Sequence, residues 1–193
     1  MDRRVFGRTG MNVSVLGFGG AEIGFEGAAL GTVERLLAEA LDQGLNTIDT
    51  AECYVNSEEL IGSAVGKRRQ EFFLFTKCGH TDSTFAPAWS KTEIKGSLER
   101  SLKRLKTDYV DLLQLHSCDK DILEKGEVVE ALQELQKSGK VRFIGYSGDS
   151  SDAHYAIGLD VFDTLQTSVS VFDQECLELT LPCLLYTSPS PRD

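Results

Sequence analysis

Three apolar runs in this sequence end on a residue that can hold or move a proton. "LNTID" closes on Asp49, "EFFLFTK" on Lys77 and "VDLLQLH" on His116, and Tyr54 follows shortly after Asp49 in "TAECY". A carboxylate at the end of a buried strand is costly to desolvate unless a cation compensates it. Asp49 and Lys77 can neutralise each other, with Tyr54 on the loop beside the pair. Tyrosine is by itself a poor acid at neutral pH, and a neighbouring ammonium favours the phenolate. A tyrosine so placed can give a proton to an oxygen while His116 donates a hydrogen bond to the same atom. Each residue also has an ordinary reading. Asp49 can cap a helix, Lys77 can snorkel to solvent, His116 can be a satisfied core histidine and Tyr54 a packed aromatic. What sets them apart is that the polar residues converge at strand ends.

For the ends to meet, the strands must run parallel. The sequence predicts strands over 15–18, 45–49, 72–77, 110–116, 141–147 and 162–167, recurring at intervals of about thirty residues, as βαβ units require. Their run-like hydrophobicity suits parallel strands covered on both faces. Amphipathic helices lie between them. In 91–105, Ile94, Leu98, Leu102 and Leu105 form one stripe, with Lys and Glu on the other side. The helix over 32–43 stops at Gly44 and that over 127–138 at Gly139, each a C-terminal stop signal. Asn56 with Glu59 reads as a capping box for a helix through Val65. Ahead of the first strand, "RVFGRTGMNVSVLGFG" predicts a hairpin turning at Thr9-Gly10.

An open doubly wound sheet and a (β/α)8 barrel both fit this alternation. A dinucleotide-binding open sheet wants GxGxxG after its first strand, but "GFGGAEIG" has Glu22 where the third glycine belongs. A barrel needs about 250 residues, and six units are present, so the expectation is a barrel cut short. The ending "CLLYTSPSPRD" points the same way. It has no helical or strand period, resembles the translation of a sequencing-library adaptor, and sets expected boundaries of 1–182 for the partial barrel and 183–193 for a non-native tail. Under either architecture Asp49, Lys77, His116 and Ser147, which closes "RFIGYS", share the carboxyl edge where parallel α/β folds place ligands.

Composition narrows the partners. Twenty basic against thirty acidic residues give a net charge of -10 over 193 residues. That excess argues against nucleic acid or an anionic membrane surface, which attract clustered positive charge. No apolar run approaches the roughly 20 residues of a spanning helix, and "MDRRVFGRTG" has no apolar segment behind its charges. The five cysteines include no CxxC pair, so a reduced, cytoplasmic setting is expected. Cys53, Cys78 and Cys118 stand within two residues of Tyr54, Lys77 or His116. They read as a redox or metal cluster or, more simply, as small residues filling strand ends, with Lys77 as a possible activator of Cys78. Trp89 reads as a pocket wall or as packing over the barrel top.

The chemistry that these groups share is carbonyl reduction, with a proton arriving at oxygen and a hydride at carbon. No side chain supplies hydride, so a nicotinamide is implied. The motifs "FGRTGMNVSVLGFG", "NTIDTAECY", "TK", "SLERSLKRLKTDYVDLLQLH" and "GKVRFIGYSG" resemble those of aldo-keto reductases, from Arg4 through about Leu181. The resemblance implies a (β/α)8 barrel using NADPH on a small carbonyl or alcohol substrate, with Asp49, Tyr54, Lys77 and His116 as a catalytic tetrad. It further implies that Ser147 and Gln166 hold the nicotinamide carboxamide and that the backbone at Gly19 and Gly20 lies beside the cofactor. Family members often have Ser-Asn where this chain has Ser147-Gly148. Two rival readings remain: a Schiff-base aldolase using Lys77, and a non-catalytic regulatory subunit on the same fold.

Overall fold

A computed structural model describes residues 1–80 and 86–187, the last three of these by backbone alone. An antiparallel hairpin of β1 (Arg3–Val5) and β2 (Asn12–Ser14) precedes six parallel strands. These are β3 (Phe18–Gly19), β4 (Thr47–Asp49), β5 (Phe73–Cys78), β6 (Val110–His116), β7 (Val141–Ser147) and β8 (Thr164–Gln166). Each pairs only with its neighbours in sequence, from β3 through β8. A doubly wound sheet must reverse its strand order at a switch point. Strict succession is instead the order of a barrel, and the six strands form a curled half-barrel.

The helices cover the outer face. They are α1 (Ala21–Phe25), α2 (Leu30–Asp42), α3 (Ser57–Val65), α4 (Lys91–Leu105), α5 (Lys120–Leu123), α6 (Glu127–Lys137), α7 (Ser150–Gly158), α8 (Glu175–Glu178) and α9 (Thr180–Thr187). Leu37 of α2, Ile61 of α3, Ile94 and Leu98 of α4 and Leu132 of α6 are buried against Ile48, Leu74, Val110, Leu113 and Ile144 of the sheet. Each such side chain contributes about 1.5–3 kcal/mol relative to exposure. The α4 stripe is the one its sequence predicts. Inside the arc a smaller cluster of Met11, Phe75 and Leu112, flanked by Phe6, Val13, Phe73 and Phe143, closes the amino end under the hairpin.

Several boundaries differ from the sequence reading. The apolar run 15–18 does not form one strand. Val15 donates its N–H to Asp2 of the hairpin, Val15 and Leu16 are exposed, and pairing with β4 starts only at Phe18. The expected strand 45–49 begins at Thr47, because the Leu45 N–H closes the end of α2 on the Ala40 carbonyl after Gly44, whose φ is 91°. Asn46 instead stitches the barrel to the hairpin: its Oδ1 accepts from the Ser14 N–H at 2.6 Å and its Nδ2 donates to the Asn12 carbonyl at 3.0 Å.

The capping box at Asn56 does not form. Asn56 makes no side-chain cap, and Glu59 pairs with Arg104 Nε at 3.2 Å. The start of α3 is pinned by Ser57, whose Oγ donates to the Gly20 carbonyl at 2.6 Å. Over Cys183–Thr187 the backbone continues α9, a helix that the composition of this segment does not announce. Residues 188–193 of the expected tail lie outside the described residues.

Candidate functional site

Strand alternation and register determine what faces the barrel interior. Asp49 lies opposite Phe75, Lys77 opposite Gln114, and His116 opposite Ser147, which in turn lies opposite Gln166. Phe75 and Leu112 mark this face as the interior one. With a side-chain period of two, Lys77, Gln114, His116, Ser147 and Gln166 therefore share it at the carboxyl edge. The four strand-end residues singled out from the sequence are brought together, and so is Gln114.

Lys77 is almost fully buried. Its Nζ donates to Asp49 Oδ2 at 2.5 Å and to the Thr50 carbonyl at 3.0 Å. Burial raises the Asp49 carboxyl above its ordinary range, and the charge and hydrogen bond of Lys77 oppose that rise. Gln114 and Gln166 reach the same carboxylate at 3.4 and 3.3 Å and bond to each other at 3.0 Å. Gln114 was not a candidate from the sequence. The signal was present: it is a polar residue within "VDLLQLH", two positions before His116 and so on its face.

Tyr54 comes from the loop after β4. Its ring centroid is 5.1 Å from Lys77 Nζ and 5.7 Å from the His116 ring, which meets it edge-on. The loop is held from three sides. A Cβ on Gly24 would sit 2.1 Å from the Tyr54 carbonyl oxygen, so only glycine lets α1 come this close. Ser57 donates its N–H to that carbonyl at 2.9 Å. Glu52 donates its N–H to the Lys77 carbonyl at 3.2 Å, and its carboxylate binds Arg100 at 2.5 Å and accepts from Ser97. Glu52 as an anchor has no signal in the sequence, since its partners stand some 50 residues away on α4.

His116 is flanked by Cys53, whose Sγ lies 3.4 Å from Nδ1, and by His80, whose ring is 5.2 Å away. Burial lowers its pKa to about 4, aided by the charges of Lys77 and His80, so at neutral pH the ring is uncharged. The other cysteines do not join it. Cys78 faces the helices, buried, with its Sγ toward the Gln114 carbonyl, and burial pushes its thiol up. The expectation that Lys77 activates Cys78 is thus corrected: adjacent strand residues point to opposite faces. The Cys118 thiol is likewise pushed up to about 12, by burial and by Asp119 and Asp152. Among the described residues no cluster could hold a metal ion.

The remaining candidates line the same rim. Gly19 lies opposite Asp49 in register, and a Cβ there would meet nothing within 4 Å. Gly20 is packed: its N–H donates to the Asp49 carbonyl at 2.7 Å, and a Cβ would approach Ser57 Oγ to 2.7 Å. Ser147 is buried, and Gln166 is exposed. Gly148 packs against the Tyr146 ring, which a Cβ would approach to 2.8 Å. Tyr146 itself is fixed by donating to the Cys118 carbonyl at 2.8 Å. Trp89 packs at this rim: its ring fills the space where Gly79, at φ 117°, lacks a Cβ, and stands edge-on to His80 at 5.5 Å.

Residues 15–180 match the model of the Aldo/keto reductase family. The chain is 37% identical over 155 residues to the uncharacterized oxidoreductase YqkF of Bacillus subtilis, covering 76% of this chain and 49% of that one. It is 34% identical over 157 residues to the L-galactose dehydrogenase of Arabidopsis thaliana, covering 77% and 49%. The structure superposes on the holo form of aldo-keto reductase AKR11C1 from Bacillus halodurans with a TM-score of 0.85 and 31% identity, covering 97% of this chain and 63% of that one. The chain therefore spans about half the length of these two curated relatives. Sequential parallel strands, a rim of polar strand ends and these matches agree: the chain belongs to the aldo/keto reductase family of oxidoreductases.

Proposed function

We propose that the protein reduces an aldehyde or ketone with a reduced nicotinamide cofactor, or runs the reverse oxidation of an alcohol, with Tyr54 as general acid. The observation that carries this reading is the meeting of Tyr54, Lys77 and His116 at one rim, with the Lys77 ammonium 5.1 Å from the phenol ring. Tyr54 delivers the proton to the substrate oxygen, and neutral His116 donates a hydrogen bond to it. Lys77, fixed by Asp49, supplies the positive charge that favours the phenolate left behind.

The residues present fit a nicotinamide cofactor. Beside Gly19 there is open space where a side chain would otherwise stand, and Ser147 and Gln166 supply a hydroxyl and an amide for its carboxamide at the same edge. When bound, the cofactor supplies the hydride that the carbonyl carbon accepts. NADPH is the form the family resemblance favours. The substrate is a small carbonyl or alcohol compound. The setting proposed is cytoplasmic, from five cysteines with no CxxC pair; Cys78, Cys118 and Cys176 are buried and outside any disulfide. No helix among the described residues is long and apolar enough to cross a membrane. The aldolase reading is disfavoured by the 2.5 Å bond to Asp49, because a Schiff base needs a neutral, uncommitted lysine.

The test is Tyr54→Phe in a chain extended to the length of its relatives. Turnover of a generic aldehyde should fall about 10²- to 10⁴-fold, the usual contribution of a general acid, while titration of cofactor fluorescence shows binding nearly unchanged. Substantial turnover by the variant overturns the assignment.

A further inference from the structure

We propose that Cys53 is a positioning residue for His116, its thiol holding the imidazole in the tautomer that carries its proton on Nε2. The inference rests on the reading of this rim as a carbonyl-reducing site. It goes beyond that reading by naming what makes the histidine a donor.

A neutral imidazole has one proton for two nitrogens, and the hydrogen bond at one nitrogen decides where that proton lies. With its pKa down to about 4, His116 is in that state at neutral pH. A carbonyl or carboxylate at Nδ1 would draw the proton to Nδ1 and leave Nε2 a bare acceptor, unable to polarise a carbonyl oxygen. Cys53 Sγ stands at Nδ1 instead, 3.4 Å away. A thiol is a weak donor and its sulfur a weak acceptor, whereas an imidazole lone pair accepts well. The favoured bond therefore runs from S–H to Nδ1, and Nε2, across the ring, keeps the proton.

The thiol is held in place by its neighbours along the chain. Glu52 is tied to Arg100 and to the Lys77 carbonyl, and the Tyr54 carbonyl accepts from the Ser57 N–H. His80 packs against the ring at 5.2 Å and Tyr54 meets it at 5.7 Å, so both flanks are filled. Cys78 and Cys118 are buried elsewhere and cannot take over the role.

The experiment is long-range ¹H–¹⁵N correlation NMR on the full-length protein labelled at histidine, at neutral pH, with the His116 signals identified by their loss in His116→Asn. The wild type should show the proton on Nε2 as a single form. Cys53→Ala should give a mixture of both tautomers, and Cys53→Ser, which keeps a donor, should retain Nε2–H as the majority form. In parallel, Cys53→Ala should lower kcat for a generic aldehyde about tenfold with cofactor affinity unchanged, and Cys53→Ser should recover most of that loss. A wild-type proton on Nδ1, or a Cys53→Ala spectrum identical to wild type, overturns the proposal. A wild-type proton on Nδ1 overturns the proposal even if Cys53→Ala does not fold; in that event Cys53→Val takes its place, and a spectrum identical to wild type overturns it equally. The tautomer is read without turnover, so an inactive protein with the expected spectra would refute carbonyl reduction and leave the role of Cys53 standing.

Discussion

Two buried ion pairs sit at opposite ends of the sheet and are built differently. Near the amino end, Asp111 takes Arg69 at 2.7 Å, Arg142 at 2.5 Å and the Leu74 N–H at 2.9 Å. Arg69 is in turn spent on the Phe72 and Tyr109 carbonyls, on Thr107 and on the face of the Tyr109 ring at 4.2 Å. At the carboxyl edge Asp49 has one short bond, from Lys77, and two long ones from glutamine side chains. The amino-end pair uses up its hydrogen-bonding capacity on backbone and guanidinium groups, as a structural clasp should. The pair at the rim leaves an ammonium 5.1 Å from the Tyr54 ring centroid, with a neutral imidazole edge-on to the same ring. A buried charge pair is therefore no sign of a site by itself; what surrounds it decides.

The contrast can be broken from either end. Asp111→Ala leaves the Arg69 guanidinium buried and unpaired, and should cost about 3–5 kcal/mol in chemical unfolding; a loss below about 1 kcal/mol would mean the clasp is dispensable. Lys77→Met should cost less stability than that, because the Asp49 carboxyl is already raised and can take up a proton. It should nonetheless lower aldehyde reduction at least about a hundredfold. If it proves the more destabilising of the two, the rim pair is structural as well. Gly148→Ala forces a methyl group against the fixed Tyr146 ring and should cost about 1–3 kcal/mol, read from the same unfolding curves. A neutral outcome would show that Tyr146 moves freely.

The rim pair also predicts a pH dependence. The His116 pKa is lowered from 6.5 to about 4 on folding, so between those values the unfolded chain binds more protons. Stability from this group is present above about pH 6.5 and is lost as pH falls toward 4. Unfolding free energies measured across that window should fall less steeply in His116→Asn than in the wild type. Equal slopes would mean that the histidine is not buried as described.

The strand–helix alternation was readable because each strand is covered on both faces and so appears as an apolar run, and His116 and Lys77 stand out as polar ends to such runs. The misreadings have a common cause. At 15–18 and 45–49 one apolar segment serves two sheets, or a helix end and a sheet, and a one-dimensional pattern cannot divide it. At Asn56 and Glu59 a local motif lost to Arg104, a partner distant in sequence. Glu52, Gly24 and Cys53 matter through neighbours on other elements, which spacing does not reveal. Gln114 and the opposite facing of Cys78 could both have been read by counting in twos from the strand ends.

The packing of Trp89 over Gly79 has an optical consequence. This is the chain's single tryptophan, and its ring touches His80, which in turn lies against His116. Its emission therefore reports from one side chain away from His116. A compound entering the rim beside these histidines changes the surroundings of that one fluorophore, so occupancy can be followed by intrinsic fluorescence without a label, a coupled assay or turnover.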